Sequence, residues 1–177
     1  KKPFMLKSKG QFYIRIANSS RPATRSSISN LFTASIELRR NVDKIRIASM
    51  LLKESLLHTV EDISNVHPAN PTRISPVNLS FMEDAILSAE WFLRENDLLG
   101  EHTSQFATSV GMNSLLHDLS LMNSYVNGYN TESDTERKRV LIHQVDSWRF
   151  GAPQLTMYVK ILDTIIAKAE KFLSKYN

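Results

Sequence analysis

Apolar residues recur every three or four positions along most of the chain, the period of an α-helix. The longest such run predicts a helix from about Ser29 to about Asn65, with Ile28, Leu31, Ser35, Leu38, Val42, Ile45, Ala48, Leu52, Leu56, Thr59 and Ile63 in one stripe. Ile36, Ile47, Met50, Leu51 and Leu57 widen that stripe well beyond a two-stranded coiled-coil seam. So broad an apolar surface needs neighbours on more than one side. At ~1.5 Å per residue the helix would reach about 55 Å, long enough to leave a break near its middle as an open alternative.

Pro68, Pro71 and Pro76 make residues 66–78 a loop. Ser80-Phe81-Met82-Glu83 then matches a capping box and opens a second helix, with Phe81, Ala85, Ala89 and Phe92 on its apolar face and Gly100 placed to end it. A third helix runs from about Thr103 to Asn127 and stops at Gly128. Ser133-Asp134-Thr135-Glu136 offers a second capping box for a short fourth helix containing Val140, Leu141, Val145 and Trp148. Gly151-Ala152-Pro153 breaks the chain, with Pro153 suited to the first position of the fifth helix. That helix carries Leu155, Tyr158, Val159, Leu162, Ile165, Ile166, Ala169, Phe172, Leu173 and Tyr176 at helical period. Short later linkers imply antiparallel neighbours. The expected fold is all-α, a bundle of four to five helices over residues 28–177.

The first 27 residues differ in kind. Phe12, Ile14 and Ile16 alternate with Tyr13 and Arg15, so one short strand is expected near residues 11–17. A lone strand builds no sheet, so it must pair outside this chain, pair with a second copy, or lie against the bundle. Residues 18–27 read as a flexible connector. The whole stretch is therefore expected to be a basic, mostly extended arm.

Charge sharpens that division. The net charge is +4, yet Lys1, Lys2, Lys7, Lys9, Arg15, Arg21 and Arg25 all fall in residues 1–25, where no acid occurs. Lys7, Lys9, Arg15, Arg21 and Arg25 are the candidate contacts to nucleic acid or another anionic surface. The plainer expectation is a solubilising tail or linker. With 0 Cys in 177 residues, neither disulfides nor a thiolate metal site can form. That fits a reducing compartment and leads to an intracellular expectation, cytoplasmic or nuclear. No apolar run approaches the ~18 residues of a transmembrane helix. The chain begins Lys1-Lys2-Pro3, and is read as a piece of a longer protein.

Candidate chemistry is sparse. The five histidines, His58, His67, His102, His117 and His143, lack the His-x-x-x-His spacing that puts two imidazoles on one helix face. Neither a P-loop nor a Gly-rich dinucleotide fingerprint occurs. No catalytic residue, metal or cofactor is therefore expected. Arg137 and His143, six apart, resemble the arginine–histidine pair of small helical ribonucleases of the HEPN class. In that remote alternative His143 would be the general acid/base and Arg137 would stabilise phosphate charge. Lys138 departs from the polar residue usual there, and a solvated basic helix face accounts for the same residues.

Some apolar residues look surplus to one core: Ile36, Ile47, Met50, Leu57, Trp91, Trp148 and Phe150. A five-helix core that absorbs them all is the simpler expectation. The alternative is a groove for an amphipathic helix or short motif of another protein, or a homodimer interface. Trp91, Trp148, Phe150, Ile47 and Met50 are the candidate contacts. The leading functional expectation is a non-enzymatic protein–protein interaction domain of a larger scaffold, adaptor or regulatory protein.

Overall fold

The computed structural model describes residues 4–6, 11–16, 19–66, 72–100, 111–148 and 152–175. These form three short strands and five helices: β1 (Phe4–Leu6), β2 (Gln11–Ile16), β3 (Ser19–Pro22), α1 (Arg25–Ser64), α2 (Met82–Glu95), α3 (Met112–Thr131), α4 (Thr135–Trp148) and α5 (Ala152–Ser174). Helix dominates, as the periodicity predicts. The chain divides into two compact units, residues 1–41 and 42–177.

In the first unit the expected lone strand is the centre of a three-stranded antiparallel sheet, ordered β1-β2-β3. Tyr13 stands opposite both Phe4 and Pro22. The expected connector therefore contains a strand, and an arm read as mostly extended finds its partners within its own chain. Alternation is hard to see in segments of 3 and 4 residues; pairing with β2 supplies the bonds that their sequences do not advertise. α1 also starts earlier than its apolar stripe suggests. The Thr24 hydroxyl accepts the Ser27 N–H at 3.1 Å and the Thr24 carbonyl accepts the Ile28 N–H at 3.0 Å, the arrangement of an N-cap.

The second unit is the bundle. From α1 it buries Val42, Ile45, Ala48, Leu52, Leu56, Thr59 and Ile63, the predicted stripe from residue 42 onward. α2 contributes Met82, Ala85, Ala89, Phe92 and Leu93, and α3 buries Met112, Leu115, Leu119, Met122, Val126 and Tyr129. Tyr158, Leu162, Ile165 and Ala169 form the inner face of α5. α4 lies along α3, with the Lys138 ammonium 5.1 Å from the centre of the Tyr129 ring.

Between α1 and α2, residues 72–79 adopt no regular secondary structure. They are nonetheless held closely, because Ile74 and Val77 are buried in the core and their backbone groups need partners there. Asn130 on α3 accepts the Ile74 N–H at 3.0 Å and donates to the Ile74 carbonyl at 2.8 Å. Asn123, two turns earlier, does the same for Val77, with both bonds at 2.8 Å. From the other side, α1 supplies Asp62, which accepts the Ser75 N–H at 2.8 Å, and Thr59, whose hydroxyl lies 2.8 Å from the Ser75 carbonyl. Ser55 accepts the Asn78 N–H at 2.9 Å. Seven helical residues rise about 10.5 Å and three extended residues cover about 10 Å. Contacts at Asn123 and Asn130 therefore coincide with Val77 and Ile74, and those at Ser55 and Asp62 with Asn78 and Ser75.

Four predicted helix ends differ for identifiable reasons. The Ser80 hydroxyl donates to the Asn78 side chain at 2.7 Å instead of capping α2, so no capping box forms there. α2 stops at Glu95, five residues before Gly100. Asp97 takes the left-handed conformation (φ 55°), and the Leu98 N–H bonds the Leu93 carbonyl at 2.8 Å. Gly100 instead packs against Gly111, where a Cβ on Gly111 would lie 2.3 Å from the Gly100 nitrogen. α3 passes through Gly128 to Thr131. Asp134, one residue beyond Ser133, caps α4 by accepting the Glu136 and Arg137 N–H groups at 2.8 and 3.0 Å.

Two stability measurements follow. Asn130→Ala leaves the Ile74 N–H and carbonyl unpaired in the interior, and should lower unfolding free energy in urea by about 2–3 kcal/mol. Gly128→Ala should raise it by up to ~1 kcal/mol, because the added Cβ would lie at ordinary contact distance, 3.6 Å, from the Leu141 side chain.

Candidate functional site

The buried stripe of α1 leaves the opposite side of the helix to solvent, and that side carries large apolar residues among its charged ones. Ile47, Met50, Leu51 and Leu57 are 44%, 46%, 45% and 43% exposed. Ile36, in the first unit, is exposed as well. The bundle core therefore does not absorb these side chains. A scattered exposed leucine is unremarkable, but a run of large apolar residues on one helix marks a surface of a different kind.

Ile47, Leu51 and Leu57 also line a concavity. One part, of about 570 Å³, lies between α1 and the segment leading into α2, with Leu51, Leu57 and His58 on one wall and Asn78 and Phe81 on the other. A second part, of about 250 Å³, continues from Leu51 and Phe81 to Ile47, Lys44 and Asp84. The two share Leu51 and Phe81, so they form one groove along α1 from Lys44 to Glu61. The bonds that pin residues 74–78 fix the far wall, since Asn78 and Phe81 follow directly from them. A separate depression of about 480 Å³, between α2 and α3, includes the exposed Leu87 but none of the α1 residues.

Glu54, Glu61 and Asp84 stand on the rim, all exposed, against a single lysine, Lys44. Just beyond it, Asp62 faces both the Ser75 N–H and His58, whose Nε2 lies 4.0 Å from the carboxylate. The Ser75 backbone hydrogen bond is the main reason that the Asp62 carboxyl is held below its ordinary value, with the Ser75 side chain and His58 adding to it against partial desolvation.

The candidate contacts named from sequence meet different fates. Ile47 lies in the groove, and Met50 is exposed on the adjoining surface of α1. Trp91 is half-buried in an edge-to-face cluster, with ring centres 5.9 Å from Phe92 and 5.7 Å from Phe172. It helps to join α2 to α5 and takes no part in the groove. Phe150, Lys7 and Lys9 lie outside the described residues, as do the side chains of Trp148 and Arg15. Arg21 and Arg25 are exposed in the first unit, and Arg137 and His143 are exposed on α4. Sequence reasoning did not single out Leu51, Phe81, Glu54, Glu61 or Asp84 as contacts. Leu51 follows Ile47 by one turn and was visible as part of the wide stripe. Phe81 was assigned to a helix core face, and the acids gave no local signal.

Among the described residues no three His, Asp or Glu side chains are grouped to hold a metal ion, and no helix is long and apolar enough to cross a membrane. No family model matches the chain, and neither the curated proteins nor the solved structures include a significant match.

The Asp62 geometry has a measurable consequence. A carboxyl held below its unfolded value stabilises the fold above that value, near 3.8, and the stabilisation is lost as pH falls through the folded value. Stability should decline over that acidic window, and Asp62→Asn should flatten this part of a urea-denaturation profile against pH.

Proposed function

We propose that this chain is a non-enzymatic protein–protein interaction domain, a helical bundle of scaffold, adaptor or regulatory type, whose α1 groove receives an amphipathic helix of another protein. The observation that supports this reading is the row of half-exposed Ile47, Met50, Leu51 and Leu57 beside a groove walled by Phe81. Large apolar side chains on a rigid helix are the usual anchors for a helix laid into a groove. Completing the burial of one such side chain contributes about 1 kcal/mol, so the four together offer roughly 4 kcal/mol before ordering costs are subtracted. That sum suits a moderate, reversible association that gains its selectivity elsewhere. The intracellular setting expected from sequence belongs to the same proposal.

The test compares the wild-type chain with Ile47→Glu and Leu51→Glu in quantitative affinity capture, with Val140→Glu as a control on α4, where Val140 is 58% exposed. Both groove substitutions should reduce capture of specific partners at least tenfold while the thermal midpoint stays unchanged, and the control should bind normally. Undiminished capture by both groove variants would refute the assignment.

A further inference from the structure

Resting on that interaction reading, we infer that the occupant of the α1 groove is a basic amphipathic helix from a different protein, about five turns long. Length comes first. From Lys44 to Glu61 the groove follows α1 for ~25 Å, the span of a helix of about 17 residues. An extended peptide of that length would need only about eight residues, and it would also seek backbone partners. The groove wall on α1 offers alternating apolar and charged side chains instead, which matches the side-chain packing of helix against helix.

Charge identifies the partner. Glu54, Glu61 and Asp84 line the groove, with Lys44 as the one opposing cation. None of these four makes an ion pair among the described residues, so the rim carries three acids against one lysine. The last turn of α1 contains no basic residue, so the partial negative charge of its carbonyl end adds to the field beside Glu61. The apolar floor is therefore bordered by a net negative charge, weighted toward the Glu54–Glu61 end. A helix with Leu, Ile, Phe or Met at helical spacing, flanked by Lys or Arg, fills the floor and pairs with the rim. One flanked by Glu or Asp would place like charges together. Such complementarity chiefly controls selectivity and association rate, which the apolar contacts alone do not provide.

The experiment uses the full chain as bait for a displayed library of twenty-residue peptides on an amphipathic helical template, with flanking positions randomised among Lys, Glu, Gln and Ala. Recovered peptides should carry Lys flanks, bind at least tenfold more tightly than their Glu-flanked counterparts, and weaken as sodium chloride is raised. Combining Glu54→Lys with Glu61→Lys should reduce their binding at least tenfold without moving the thermal midpoint. Acidic or neutral flanks among binders that Leu51→Glu still abolishes would overturn the basic-partner inference and leave the groove reading intact. Failure to recover any peptide sensitive to Leu51→Glu would overturn both. A stable dimer by light scattering, dissolved by Leu51→Glu, would assign the groove to a second copy and overturn the inference.

Discussion

The bundle depends on how it satisfies one extended stretch of backbone inside a helical core. Residues 74–78 have no neighbouring strand, yet Ile74 and Val77 are buried. Asn123 and Asn130 replace the missing strand, because a carboxamide presents one acceptor and one donor in the spacing of a peptide group. Ser55, Thr59 and Asp62 complete the set from α1. Removing such a partner leaves a desolvated polar group, which is far more costly than the net value of a hydrogen bond exposed to water.

That clamp has consequences at the surface. It fixes the path of the chain into α2 and so places Phe81 and Asp84 beside α1. The outer side of α1 is then walled but not covered. Trp91, which looks superfluous in sequence, instead meets Phe92 and Phe172. The contrast with Ile47, Met50, Leu51 and Leu57 gives the α1 surface its significance. A core able to gather a tryptophan from the margin of α2 leaves Ile47, Met50, Leu51 and Leu57 exposed on the part of α1 that belongs to the bundle.

The same division governs the electrostatics. Surface pairs such as the half-buried Arg46–Asp43 and the more exposed Arg94–Glu90, at 2.7 and 2.8 Å, lie three or four residues apart on single helices and contribute little to stability. Lys53–Asp163, at 2.7 Å, instead links α1 to α5. Glu54, Glu61 and Asp84 have no such neighbour among the described residues, and their negative charge is concentrated where the apolar surface is open. In the proposed binding role, a hydrophobic floor with a charged margin would combine binding area with a means of rejecting wrong partners.

Helical periodicity was enough to identify the mostly helical class, a count of four to five helices and the inward stripe of α1 from Val42 to Ile63, because a 3.6-residue repeat is a local property written into successive positions. Helix ends were less legible. Ser80, Gly100, Gly128 and Ser133 are residue types that suit caps, but whether a hydroxyl or a glycine acts as one depends on competing bonds such as Ser80 to Asn78. The sheet was half visible: β2 alternates, while β1 and β3 acquire their character by pairing with it. Nothing local distinguishes Ile47, which is exposed, from Ile45, which is buried, since both belong to one broad apolar helix and only the neighbours packed against it select a side. The groove and its acidic rim required the folded chain for the same reason, bringing Asp84 and Phe81 to residues 44–61 through contacts that span the length of the clamp.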